Sequence, residues 1–307
     1  MLNKTTLSRW GISLLILFCA ACTPAQVQTP AVGGKLKVTA TTTIVGDVVS
    51  NIGGEDIELT VLLPAGADPH NFEPAPRDIA AVSDAQLVFT NGAGLEEFMQ
   101  RLIQNAGGEA RVVALSDGLD LITASPEVDE HSATDPHVWL DPTNVARWVP
   151  AIECSLSELY PANADTYQEN ASRYIKKLQD LDSWIVEQVS QIPEAERKIV
   201  SDHLVFAYFA RRYGFEQVGA AVPAFSTLAE PSAQEQAALE DKIRREGVKA
   251  ILVGSTVNPT LSKRIASDTG IQVVPIYSGS LSPPDGPAPT YLDYMRYNVN
   301  AIVQALR

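Results

Sequence analysis

The stretch from residue 36 to residue 63, LKVTATTTIVGDVVSNIGGEDIELTVLL, holds two runs of aliphatic and β-branched residues, 36–42 and 57–63, around a segment, 44–52, whose apolar positions recur at helical spacing. Strand, helix, strand in that order favours a parallel pair, because the helix carries the chain back to start the next strand in the same direction. Working outward, the rhythm continues with a helix over 77–83, a strand over 86–90, a helix over 95–105 and a strand over 111–115. The second half repeats it. Strands are expected at 198–201, 215–222, 248–253 and 272–276, with helices at 204–213, 233–246, 260–268 and 290–306. Between the halves, 144–191 reads as helical, with Leu156, Leu159, Tyr167, Tyr174, Leu178, Leu181, Trp184 and Ile185 on the apolar stripe and a break at Tyr160-Pro161-Ala162-Asn163. The fold class is therefore α/β: two β/α lobes with mainly parallel sheets, joined by a long helix that acts as a stiff hinge.

The N-terminus adds a location. Lys4 and Arg9 precede an apolar run from Trp10 to Phe18, followed by Cys19-Ala20-Ala21-Cys22. That is the layout of an export signal, and it is too short for the roughly 20 apolar residues of a membrane-spanning helix. Small residues before Cys22 resemble a bacterial lipobox, with Cys19 where an aliphatic residue usually stands. Lipidation at Cys22 is the reading adopted, with ordinary signal cleavage as the alternative. The expected division is a signal peptide over 1–21, a Pro/Gly-rich tether over 22–34, an N-terminal lobe over 35–143, the linking helical segment over 144–191 and a C-terminal lobe over 192–307.

Composition narrows the function. The chain has 307 residues, 45% hydrophobic and 20% charged, enough for two cores, and a formal net charge of −14 that grows more negative when Lys4 and Arg9 leave with the leader. A nucleic-acid partner is excluded for want of a basic face. Three cysteines give no disulfide framework, and the lone Cys154 in a helical stretch is expected to be a small buried apolar residue.

His70, His137 and His203 occur in Ala67-Asp68-Pro69-His70, Thr134-Asp135-Pro136-His137 and Ser201-Asp202-His203. Imidazole is a good ligand for Zn²⁺ and related ions. Separations of 67 and 66 residues rule out a finger or ribbon, so one site using all three must be assembled by the fold. His70 follows the run Val61-Leu62-Leu63 and His203 follows a strand. Both places lie at carboxyl ends of strands, where open α/β sheets gather ligands.

These motifs carry a resemblance. The segments Gly66 to Asp78 (GADPHNFEPAPRD), Asp135 to Pro142 (DPHVWLDP), Asp202 to Gly214 (DHLVFAYFARRYG) and Thr290 to Asn298 (TYLDYMRYN) resemble, in order, the signatures of the zinc/manganese solute-binding proteins of bacterial metal-uptake ABC transporters, cluster A-I. The resemblance implies two α/β lobes on a long backbone helix, with a metal ion in the cleft between them. It also implies delivery to a membrane permease powered by a separate ATPase, by a monomer that is extracytoplasmic, lipid-anchored or periplasmic. The family's first three ligands fall on His70, His137 and His203. Three imidazoles suit zinc better than manganese, which prefers harder oxygen donors, so zinc is the expected cargo and manganese the alternative.

The fourth ligand position of many members falls on Gly279 in Tyr277-Ser278-Gly279-Ser280-Leu281-Ser282, and glycine has no side chain to offer. A water, Asp285 or another carboxylate is left to complete the shell. Three histidines and an open position also describe a zinc hydrolase. However, the acids nearest in sequence, Asp68, Glu73 and Asp202, suit loop-holding roles, and no HExxH or nucleophile elbow occurs. The protein is read as a non-enzyme, with a secreted hydrolase or a surface adhesin carrying a structural metal as alternatives. Asp129, Glu130 and His131, just before the second motif, form at most a weak collecting patch and are not placed in the site.

Overall fold

The computed structural model describes residues 34–123 and 134–307. The leader, Cys22, the tether through residue 33 and the loop bearing Asp129, Glu130 and His131 lie outside the described residues.

The N-terminal lobe runs β1 (Leu36–Ala40), α1 (Thr43–Gly53), β2 (Ile57–Val61), α2 (Pro76–Asp84), β3 (Leu87–Thr90), α3 (Met99–Ala106) and β4 (Arg111–Ala114). Its strands pair in parallel in the order β2-β1-β3-β4. Then come α4 (Pro142–Leu159), a short 3₁₀ turn at Pro161–Asn163 and α5 (Ala164–Val189). The C-terminal lobe runs β5 (Lys198–His203), α6 (Ala207–Tyr213), β6 (Glu216–Val222), α7 (Ala233–Glu246), β7 (Ala250–Gly254), α8 (Thr260–Thr269), β8 (Gln272–Ile276) and α9 (Tyr291–Leu306). Its sheet, β6-β5-β7-β8, is also wholly parallel and repeats the order of the first. In both lobes the order reverses at the first strand, which places a ligand crevice at the carboxyl ends of β1 and β5.

The central strands are buried along their whole length, as Leu87–Thr90 and Ala250–Gly254 show. Parallel strands covered on both faces read as unbroken apolar runs, which is why the strand pattern is plain in the sequence. Pro161 ends α4, because a proline in mid-helix removes an amide donor and clashes with the preceding turn. Pro150, by contrast, stays inside α4 on its exposed face.

α5, at 26 residues, is about 39 Å long and packs on α4, on α1 of the first lobe and on α9 of the second. One continuous apolar core therefore passes from Val38 and Ile44 through Trp148, Tyr174 and Leu181 to Tyr291 and Ile302. Smaller clusters sit beneath the outer face of each lobe. A shared core makes wide separation of the lobes costly, since opening would return that apolar surface to water.

Several details differ from the sequence expectations. α3 begins at Met99 because Gly92, Ala93 and Gly94 all have positive φ (81°, 52° and 84°) and turn the chain first. α6 begins at Ala207, because Leu204 is still tied by its amide to Ala224 O. His203 is the last residue of β5 and not a residue beyond it. Cys154 is exposed, contrary to the expectation of burial. The buried stripe of α4 passes through Trp148, Ile152 and Ser155, and Cys154 lies off it. Its thiol faces Glu158 Oε1 at 3.5 Å, and that carboxylate raises its pKa, so the exposed sulfur is a poor thiolate.

Candidate metal centre

Each of the three histidines is set by an aspartate close before it. Asp68 Oδ1 accepts the His70 amide at 3.0 Å and Asp135 Oδ1 accepts the His137 amide at 2.9 Å. These are Asx turns, the local reason for the repeated Asp-Pro-His. In β5 the aspartate is adjacent: Asp202 Oδ1 accepts the His203 amide at 2.6 Å, and its Oδ2 accepts the Gly254 amide on β7 at 2.5 Å.

Two of these carboxylates also hold the rings. His137 Nδ1 is 2.7 Å from Asp135 Oδ1, and His203 Nδ1 is 2.6 Å from Asp202 Oδ1. A carboxylate at Nδ1 places the ring proton there and leaves the Nε2 lone pair free. The Nε2 atoms converge: His70 and His203 each lie 3.2 Å from His137, and the donor atoms of all three fall within 4.8 Å of one another. Two nitrogens bonded at 2.0–2.1 Å to one tetrahedral ion stand about 3.3–3.4 Å apart.

Electrostatics favour neutral imidazoles. Burial, then the charges of His137 and His203, lowers His70 to about 3, and burial drives His137 well below its usual value. Burial raises Asp135 to about 7 against the pull of the His137 amide and the charges of His203 and Arg211; a dication at Nε2 would favour the ionised carboxylate.

The site lies in the cleft between the lobes. A cavity of about 530 Å³ borders it on the His70 side, lined among others by Ala93, Gly94, Pro136, Phe225 and Leu228. His70 is only half-buried, whereas His137 and His203 are buried, so entry is from the His70 side. Behind His137, Trp139 packs edge-on with ring centroids 5.3 Å apart, and its Nε1 donates to Ser278 O and Tyr294 OH at 3.1 Å. Tyr208 OH donates to Asp135 O at 2.9 Å. Both aromatics read as cleft core in the sequence, and both also hydrogen-bond across the lobes.

Among the described residues the donor cluster consists of the three histidines alone. Gly279 abuts the His70 turn: a Cβ on it would lie 2.8 Å from Pro69 Cδ. Asp285 is exposed in a turn closed by Gly286 N to Pro283 O, away from the cluster, and Glu73 is exposed. Sequence reasoning missed Thr227, whose hydroxyl crosses the cleft to Asp68 Oδ2 at 2.6 Å, and Asn91, whose amide reaches Pro136 O at 2.9 Å. Neither stands near a histidine in the chain.

With this geometry in view, the match to known proteins is specific. Residues 38–305 match the family described as zinc-uptake complex component A, periplasmic. The chain belongs to this family of metal-binding proteins of ABC transporters. It is thus an extracytoplasmic binding component and not an enzyme, which removes the hydrolase alternative. No helix among the described residues is long and apolar enough to cross a membrane. The manganese-binding lipoprotein MntA of Halalkalibacterium halodurans is 34% identical over 296 residues, 96% of each chain. The manganese-bound periplasmic metal binding protein of Candidatus Liberibacter asiaticus superimposes with a TM-score of 0.79 at 28% identity, covering 89% of this chain and 100% of that one. The periplasmic zinc binding protein TroA of Treponema pallidum gives a TM-score of 0.81 at 26% identity, covering 89% and 99%.

Proposed function

We propose that His70, His137 and His203 capture one divalent metal ion, zinc in preference to manganese, and that the loaded protein passes it to a membrane permease. The observation that carries this reading is the convergence of three Nε2 atoms, 3.2 Å from His137 in each case, with carboxylates behind His137 and His203. The donor set supports zinc, because the cluster contributes imidazole and no carboxylate among the described residues, and Mn²⁺ prefers oxygen-rich octahedral shells. Most of the similar proteins are named for manganese and fewer for zinc, so the zinc reading rests on the donor chemistry alone. We place the working parts in a lobe over 35–143, a helical link over 144–191 and a lobe over 192–307, in a monomer tethered through lipid on Cys22 by the 22–34 spacer.

Capture needs no chemistry beyond ligation. Depressed histidine pKa values keep the lone pairs available, and the Asp135 and Asp202 carboxylates offset the charge of the ion within a buried site. The shared core and α5 confine motion to a small settling of the lobes.

Cobalt(II) substitution tests the metal assignment. Intense visible d–d bands, the mark of a tetrahedral nitrogen site, are expected; weak octahedral bands, with manganese raising the melting temperature as much as zinc does, would reverse the choice of metal while leaving transport intact.

A further inference from the structure

Glu96 is a buried carboxylate away from the histidines, and its hydrogen-bond partners include no cation. Its Oε1 accepts the Thr41 hydroxyl at 2.6 Å and the Asn91 amide at 2.7 Å, and its Oε2 accepts the Gly92 amide at 3.0 Å. Thr41 follows β1 and Asn91 follows β3, so one carboxylate joins the ends of the two strands that flank the ligand crevice of the first lobe. Two successive backbone amides, of Asn91 and Gly92, converge on the Glu96 carboxyl in the manner of a nest, against burial that raises its pKa, and the pair shapes the 91–96 turn. That turn holds Ala93 at φ 52°, the one non-glycine residue with positive φ among those described. Such a backbone persists only where its surroundings hold it.

The turn reaches the metal site through Asn91. Its Nδ2 donates to Pro136 O and to Gly92 O, both at 2.9 Å. Reversing the amide would set its oxygen against two carbonyls, so the orientation is determined. Pro136 lies between Asp135 and His137, and its carbonyl therefore fixes the height of the His137 turn against the end of β3. Ala93, Gly94, Leu95 and Pro136 line the same cavity as His70.

We propose that Glu96 is a positioning residue of the metal site, acting through Asn91 and the Pro136 carbonyl to hold His137 where its Nε2 meets those of His70 and His203. The inference rests on the reading of His137 as a ligand. Glutamine at 96 keeps the shape but turns one acceptor into a donor facing an amide, which loosens the nest. Alanine at 91 leaves the carboxylate untouched and cuts the link to Pro136.

The test is zinc affinity, by competition with a chromophoric chelator, for the chain lacking residues 1–22 and for its Glu96→Gln, Asn91→Ala and doubly substituted forms. Leu239→Ala, in the outer core of the second lobe, serves as a control for general destabilisation. Each single substitution is expected to weaken zinc binding roughly 10-fold, at the low end for residues that orient a ligand. The double form should be no weaker than the worse single one. In the metal-free protein, the His137 ring resonances should shift while those of His203, held by Asp202, stay in place. Unchanged affinity, a loss matched by Leu239→Ala, or additive losses would overturn the proposal. If Glu96→Gln does not fold, Asn91→Ala alone decides it by the same criteria. Should the unsubstituted chain bind no zinc, or His137→Ala bind it as tightly, the ligand assignment itself fails, and the proposal fails with it.

Discussion

Replacing Asp135 with asparagine isolates what a carboxylate behind a ligand contributes. Asp135 Oδ1 takes both the His137 amide at 2.9 Å and the ring Nδ1–H at 2.7 Å. Asparagine can keep both bonds through its carbonyl oxygen, so the turn and the tautomer survive while the negative charge is lost. Loss of such a partner costs 10–100-fold in metal affinity, or about 1.4–2.7 kcal/mol. Folding should change separately. Asp135 Oδ2 is buried with no partner, and an amide group there would be an unsatisfied donor costing about 1–3 kcal/mol, set against the relief of a buried carboxyl whose pKa is raised to about 7. Zinc competition at pH 7.5 and thermal unfolding of the metal-free protein measure the two effects independently. An affinity within 3-fold of the parent, with the fold intact, would refute the idea that the charge behind His137 strengthens the site.

Because His70 sits near 3 and His137 well below its usual value, protons compete weakly for those two nitrogens. Asp135, raised to about 7 by burial, takes up a proton as pH falls from 7.5 to 5.5, so zinc affinity should fall on the order of 10-fold over that window in the parent and by less than about 3-fold in Asp135→Asn. The histidine shifts act on folding with a definite sign: unfolded histidines take up protons below about 6.5 and the folded ones do not. These two histidines therefore pull metal-free stability down as pH falls from 6.5 towards 3, while the raised Asp135 and Asp47 carboxyls push it up between about 7 and 4, so the net fall in urea midpoint should begin below about pH 4. Asp47, on α1, accepts hydrogen bonds from Tyr174 OH on α5 and the Tyr291 amide at the start of α9, and burial raises it to about 6. Its contribution to stability is lost as pH rises from about 4 through 6, so Asp47→Asn should stabilise the protein at pH 7 by up to about 3 kcal/mol, with no gain at pH 4. Gly279→Ala should push on Pro69, where a Cβ would approach to 2.8 Å. A cost of about 1–3 kcal/mol and weaker zinc binding are expected in calorimetry, against no change if the His70 turn is free to yield.

Much of this was legible in the sequence for physical reasons that differ by element. Strands β3 and β7 stand out because burial on both faces leaves no polar alternation, and α7 and β8 lie where helical spacing and flanking residues place them. Starts of helices were harder: α3 and α6 yield their first residues to loops whose bonds, such as Leu204 to Ala224, run across the lobe. Cys154 was misread because a residue type was weighed without its angle on the helix. The Asp-Pro-His turns are local and so visible, whereas Asn91, Glu96 and Thr227 act on residues 45, 55 and 159 positions away. A single sequence carries no mark of such contacts.

Whether one ion is held by three histidines drawn from both lobes is read from zinc content by mass spectrometry after equilibrium dialysis, on the chain lacking residues 1–22 beside a form with His70→Ala, His137→Ala and His203→Ala together. Close to one zinc per chain is expected in the first and almost none in the second, with both folded by circular dichroism. Equal zinc in the two, or none in either after dialysis against zinc or manganese, would show that the three histidines are not the site.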